Sequence, residues 1–279
     1  MKPDKQPLHI DIRSVLYSKS RYWGKHAPEF IINILKRIVH QDELNSILDK
    51  TAGTEGAGFA GKILENLNVE CSPIYKNKPA IKNDGRYIFV SNHPLGGLDG
   101  LALIAEIGKS FGEIKFIVND FLMFVKPLEN LFVPVNKVGK MDVHYINKME
   151  EAYSSNCHIL NFPAGLCSRL INGKITDLPW KSSFLKQAVK YNREVVPVYF
   201  GGKNSTFFYK FANLRKRMGI KFNIEMMFLP HEMFKNKEQK FTYVVGEPIK
   251  IESFSNARMA NEKCAEIRQI AYNLRKLIK

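Results

Sequence analysis

Between residues 86 and 200, short apolar runs alternate with longer stretches in which apolar positions recur every three or four residues. The runs Arg86–Ser91 (Tyr87-Ile88-Phe89-Val90), 114–118, 131–135, 157–162 and 194–200 predict strands. The intervals 98–109, 120–125, 144–154 and 180–191 predict helices. Alternation of this kind predicts an α/β fold. A central, mostly parallel mixed sheet is flanked by helices, and the functional site is expected at the carboxyl ends of the strands.

The flanks follow other patterns. Up to Lys50 the pattern is helical: Pro28 stands where a first turn begins, and Ile31, Ile34, Leu35 and Ile38 recur on one face. Tyr22, Trp23, Lys25, Lys36 and Arg37 surround that face. Two readings of it stand: a helical extension lying at a water–lipid interface, or a helix packed on its own domain. Residues 1–50 are therefore set apart as a helical, membrane-proximal extension, and 51–279 as the α/β domain, beginning with the glycine-bearing loop Thr51–Gly58. After Gly201 come the basic run Lys210, Arg215, Lys216, Arg217 and Lys221, and strand candidates at 222–228 and 241–245. A last helix places Cys264, Ile267, Ala271, Leu274 and Ile278 on one side.

Composition narrows the classes. The 279 residues carry 42 Lys+Arg against 27 Asp+Glu, a formal charge of +15, with 45% hydrophobic residues. That is apolar material for a sizeable core, and it excludes disordered, collagen-like and repeat classes. The excess charge implies either an anionic partner or simple solubility. Cys71, Cys157, Cys167 and Cys264 are widely spaced, which suggests neither a disulfide framework nor a zinc site and fits a reducing compartment. No metal-ligand spacing is visible. No signal-peptide pattern is present, and no apolar stretch approaches the roughly 18–20 residues that cross a bilayer. A nucleic-acid partner lacks any accompanying recognition motif.

The window Ser91-Asn92-His93-Pro94-Leu95-Gly96-Gly97-Leu98-Asp99-Gly100 carries the chemistry. Among the seven histidines, His93 alone follows a strand, precedes a glycine-rich turn and has a carboxylate within six positions. A carboxylate on one ring nitrogen fixes the tautomer and leaves the other as a base for a hydroxyl or amine. The plainer reading makes Asp99 a helix cap and Gly96-Gly97 a tight turn.

Asn92-His93 with Asp99 resembles the histidine–aspartate signature of the glycerolipid acyltransferase superfamily, which includes the lysophosphatidic acid acyltransferases. Leu131-Phe132-Val133-Pro134-Val135-Asn136-Lys137 is similar to its second block, Asn161-Phe162-Pro163-Ala164-Gly165-Leu166-Cys167-Ser168-Arg169 to its third and Val195-Val196-Pro197-Val198 to its fourth. The four stand in the family's order over roughly residues 81–199. Three departures stand out. Five residues rather than four separate His93 from Asp99, Ala164 replaces the usual glutamate, and Lys137 occupies an arginine position. This pattern resembles a branch of hemolysin-like and amino-acid-lipid-forming acyltransferases.

The resemblance implies membrane-lipid biosynthesis. An acyl group moves from an acyl carrier protein or coenzyme A thioester to a lysophospholipid hydroxyl or an amino-acid amine, at the cytoplasmic face of the membrane as a peripheral protein and without a cofactor. His93 is the expected base and Asp99 its orienting acid. Gly96, Gly97 and Gly165 are expected to offer amides to the oxyanion, and Asn92, Lys137, Ser168 and Arg169 to hold substrate. A catalytically silent lipid or carrier-protein binder of the same fold is the alternative.

Overall fold

The structure is a computed structural model that describes residues 9–19, 21–82, 84–119, 122–123, 125–135 and 143–278. In chain order the elements are α1 (Ile12–Lys19), α2 (Arg21–His26), α3 (Glu29–Ile38), α4 (Gln41–Lys50), α5 (Gly56–Asn66), β1 (Glu70–Tyr75), β2 (Tyr87–Ser91), α6 (Leu98–Phe111), β3 (Ile114–Asn119) and β4 (Phe132–Val135). They continue with α7 (Val143–Ser154), β5 (His158–Asn161), β6 (Arg169–Ile171), β7 (Lys174–Thr176), α8 (Ser183–Lys190), β8 (Glu194–Phe200), α9 (Thr206–Arg217), α10 (Leu229–Lys235), β9 (Lys240–Val245) and α11 (Ala257–Asn273).

Two compact units emerge: Met1–Thr54 with Ser205–Lys237, and Glu55–Asn204 with Glu238–Lys279. The boundary differs from one drawn at residue 50, because the segment 205–237 clusters with the N-terminal helices rather than with the sheet.

The larger unit is α/β, as the alternation predicts. Its seven-stranded sheet has the order β1-β9-β8-β2-β5-β3-β4 and is parallel throughout except where β8 meets β9. The central strand β2 is buried at every position, which is why its sequence is an unbroken apolar run rather than an alternation. Both edge strands carry a proline, Pro73 in β1 and Pro134 in β4. A missing N–H is tolerated there because, among the described strands, one side of each has no partner. Helix α11 buries Cys264, Ile267 and Ala271 against the core that also holds Ile88, Val90 and Ile159. Arg193 is buried within this unit and caps the end of α7, donating to the carbonyls of Tyr153 (2.8 Å), Cys157 (2.7 Å), Ala152 (3.2 Å) and Ser155 (2.5 Å).

One expected element differs, one falls partly outside the described residues, and others were not expected. Residues 222–228 form no strand; they are a 3₁₀ helix at Ile224–Phe228 followed by α10. Asp120, Phe121 and Phe124 of the expected helix 120–125 lie outside the described residues. Strand β1, the β6–β7 hairpin and helices α5 and α9 are additional.

The smaller unit is helical among its described residues. Its buried face in α3 centres on Ile32, while Phe30 and Ile34 are exposed. The side chain of Trp23 lies outside the described residues. A hydrogen bond joins His40 Nε2 to His231 Nδ1 at 2.9 Å, and the His40 ring stacks on Phe234. The segments on either side of the sheet unit's inserted residues are thereby tied together. Arg215 of the basic run pairs with fully buried Glu225 at 2.9 Å and is not a surface charge. No helix among the described residues is long and apolar enough to cross a membrane.

Candidate active site

Strand β2 ends at Ser91, so His93 stands at the carboxyl edge of the sheet between the ends of β8 and β5. The turn that follows doubles back into α6. Gly96 takes φ = 78°, a left-handed conformation that favours glycine. Gly97 is the N-cap of α6, and Asp99 falls within the first turn instead of capping it. In the window 91–100 only His93, Gly96 and Gly97 keep partial exposure.

The Asp99 carboxylate is fully buried and bonded on both oxygens. Its Oδ2 accepts from His93 Nδ1 at 3.0 Å, Leu95 N at 3.0 Å and Gly96 N at 3.4 Å. Its Oδ1 accepts from Gly100 N at 2.9 Å. Burial by itself pushes this carboxyl up. The His93 charge and the hydrogen bonds from His93, Leu95 and Gly100 outweigh that, holding it below its usual value. An ionised carboxylate only accepts, so the ring proton belongs on Nδ1 and the Nε2 lone pair is left for chemistry. The ring is further fixed by Phe162, stacked on it with centroids 4.0 Å apart and planes at 19°.

A second buried carboxylate, Asp177, holds the backbone of the same histidine. Its Oδ1 accepts from His93 N at 3.3 Å and from Ser168 Oγ at 2.5 Å, and its Oδ2 from Trp180 Nε1 at 2.9 Å. Ser168 N donates to the His93 carbonyl at 2.7 Å. Burial raises the Asp177 carboxyl above its usual value, and the hydrogen bonds from Ser168, Trp180 and the His93 amide only partly counter this. Sequence reading missed Asp177 because it missed the hairpin before it. The signal was present: Asn172-Gly173, with φ of 49° and 75°, is the turn pair of a tight β-hairpin.

The other expected site residues have varied placements. Asn92 is buried, and its amide clamps Phe200 of β8: Nδ2 donates to the Phe200 carbonyl at 2.9 Å, and Oδ1 accepts from its N–H at 2.6 Å. Ser168 is buried and committed to Asp177. Arg169 is buried as well, with Nη1 donating to the Cys167 carbonyl at 2.8 Å and to Cys167 Sγ at 3.0 Å. Gly165 takes φ = 67°, and its amide donates to the Phe162 carbonyl at 2.9 Å. These four hold the site's scaffold together through internal bonds. Lys137 lies outside the described residues. Cys167 is fully buried, so its thiol is not presented to solvent.

Among the described residues, no acceptor faces the N–H groups of Gly97 and Leu98, at the positive end of α6 beside His93. The site thus unites a nitrogen base, an ionised acid that orients it and free amide donors, the parts that acyl transfer needs.

The family model described as "Acyltransferase" matches residues 14–279. The chain belongs to the acyltransferase family. The described residues of the four sequence blocks of this acyltransferase fall on β2, β4, β5 and β8, four strands of the seven-stranded sheet, or just after them. It is 41% identical over 266 residues to the lyso-glycine lipid O-acyltransferase of Bacteroides thetaiotaomicron, covering 95% of this chain and 97% of that one. It is 40% identical to the protein of the same name from Phocaeicola vulgatus, covering 95% of each. Among solved structures, the crystal structure of the 1-acyl-sn-glycerophosphate acyltransferase PlsC from Thermotoga maritima is similar with a TM-score of 0.45 and 16% identity, over 95% of this acyltransferase and 98% of that chain.

Proposed function

We propose that this acyltransferase moves a fatty acyl group from a thioester to the free hydroxyl of a lyso-glycine lipid, at a membrane surface. The observation that carries the reaction is His93 Nδ1 held 3.0 Å from a buried, ionised Asp99. The acceptor rests on the two relatives, both named O-acyltransferases; a hydroxyl is thereby favoured over an amine.

In this reading His93 Nε2 takes the hydroxyl proton as the lipid oxygen attacks the thioester carbonyl. Negative charge collects on the carbonyl oxygen, where the amides of Gly97 and Leu98 receive it. Donors of this kind contribute about 3–4 kcal/mol each to transition-state stabilisation. Collapse breaks the C–S bond and forms the ester, and the imidazolium returns its proton to the departing thiolate. Asp99 stabilises the imidazolium without taking the proton. The donor is an acyl carrier protein or coenzyme A thioester.

The membrane reading draws on the helical unit. Among the described residues, eight of the fifteen exposed large apolar side chains fall in it, in less than a third of the chain, among them Phe30, Ile34, Phe207, Leu214, Met218 and Phe222. Along α9 and just beyond it, Phe207, Phe211, Leu214 and Met218 follow helical spacing, interleaved with Lys210, Lys216 and Arg217. Apolar and basic side chains combined in this way suit anionic lipid.

The test incubates the purified protein with acyl-coenzyme A or acyl-carrier protein and either lyso-glycine lipid or lysophosphatidic acid. Ester formation on the glycine lipid is expected. His93→Ala is expected to lower the rate about 10²–10⁴-fold. Equal rates before and after the substitution would overturn the base assignment. No turnover by either protein, with lipid binding kept, would establish the silent-binder alternative instead.

A further inference from the structure

Between the β6–β7 hairpin, the start of α8 and α11 lies a cleft of about 920 Å³. Lys181, Lys186 and Arg268 line it, with Asn261 and Trp180. None of the three cations has a carboxylate partner among the described residues. The Nη2 of Arg268 donates to Thr176 Oγ1 at 2.7 Å and to the Asp177 carbonyl at 3.1 Å, and its guanidinium lies over the Tyr272 ring. Its Nε is buried with no acceptor, a donor the fold leaves unused at the cleft wall.

Among the described residues the one carboxylate in the lining is Asp177, and its oxygens are occupied by the His93 amide, Ser168 and Trp180. Three unneutralised cations in one concavity repel each other unless an anion enters. A phosphate ester suits them, because guanidinium and ammonium groups form charge-assisted hydrogen bonds to phosphate oxygens. The cleft also shares a wall with the site. Asp177, one of its lining residues, accepts through Oδ1 from the backbone nitrogen of the proposed base at 3.3 Å.

We propose that this cleft binds the phosphate-bearing end of the acyl donor, the 4′-phosphate of phosphopantetheine that coenzyme A and a holo-acyl carrier protein share. The inference rests on the acyl-transfer reading above and adds where the donor is held.

Titration calorimetry on the full chain would test it, with coenzyme A, pantetheine lacking phosphate, holo-acyl-carrier protein and phosphatidylglycerol vesicles as probes. Coenzyme A or the holo-carrier is expected to bind at least tenfold more tightly than pantetheine. Lys181→Glu with Lys186→Glu is expected to weaken that binding tenfold or more and to raise the donor KM, with the acceptor KM unchanged. Lys186→Glu alone, an exposed substitution, provides a milder second variant. Which of the two donors loses affinity identifies the phosphate's source. Donor affinity unchanged in both variants, pantetheine binding as tightly as coenzyme A, or loss of vesicle binding alone would each overturn the proposal. Failure of the acyl-transfer reading looks different: the donor binds and the double variant weakens it, but the wild-type protein makes no ester.

Discussion

Replacing Asp99 by Asn tests how the dyad works, because the structure fixes what the substitution can do. All four groups facing the carboxylate are donors, three on Oδ2 and one on Oδ1. An asparagine keeps its oxygen toward His93, Leu95 and Gly96 and turns its NH₂ against the Gly100 amide. That opposition costs about 1–3 kcal/mol of stability, while the His93 tautomer survives. What disappears is the negative charge that steadies the imidazolium during proton transfer. Two unit charges centred about 4 Å apart interact by about 4 kcal/mol at an effective dielectric near 20. At 1.36 kcal/mol per decade this is about a thousandfold in rate. The assay follows thiol release from acyl-coenzyme A in the presence of lyso-glycine lipid, with circular dichroism to show that the variant is folded. A folded Asp99→Asn protein within tenfold of the wild-type kcat would refute the argument that Asp99 acts through its charge.

Other expectations follow from the same contacts. Asp99 is held below its ordinary value, so its stabilising contribution is full above pH 3.8 and is lost as pH falls through its lower folded value. Asp177 is raised, so the fold loses stability as pH climbs from 3.8 through its folded value. Urea unfolding from about pH 2 to 6 should therefore show the wild-type advantage over Asp99→Asn growing with pH up to about 4 and level above it, and that over Asp177→Asn shrinking from about pH 4 upward; an Asp99 advantage that falls with rising pH, or an Asp177 advantage that grows, would contradict the two burial arguments. Arg193→Met is expected to cost more than about 3 kcal/mol, since at least two buried carbonyls at the end of α7 lose a charged donor, and a change below 1 kcal/mol in chemical denaturation would mean that water replaces the guanidinium. Phe222→Ser should weaken sedimentation with anionic vesicles by about tenfold or more, the worth of burying one aromatic side chain; undiminished binding would move the lipid contact away from the residues after α9.

How much of this was legible in the sequence depended on the strength of each local signal. Strand β2 is central and buried on both faces, so its apolar run stands out, and the turn that ends it carries its glycines and its acid within ten residues. Strand β1 is an edge, and Glu70-Cys71-Ser72-Pro73 breaks any apolar run. Its pairing with β9 joins residues far apart in the chain, which periodicity does not report. The histidine–aspartate dyad was readable because both partners lie in one turn. The Asp177 contact was not, since it depends on a fold that returns the chain to His93 after 84 positions. Ser168 and Arg169 read as substrate-holding residues because they close the block that resembles the third of the acyltransferase family. In the fold both are buried, and their side chains are bonded internally, Ser168 to Asp177 and Arg169 to Cys167. The helical unit was hidden for a related reason: 205–237 is inserted between β8 and β9, and nothing in its composition announces that it belongs with residues before 55.

The sheet order also has a consequence at the ribosome. Strand β1 pairs only with β9 among the described strands, and about 165 residues separate Tyr75 from the start of β9. At cellular elongation speeds that is a wait of about 8–33 s. Throughout it β1 has no strand partner, and β8, once made, keeps its β9 side open until β9 follows; a nascent chain in that condition is where chaperone dependence of this enzyme should concentrate.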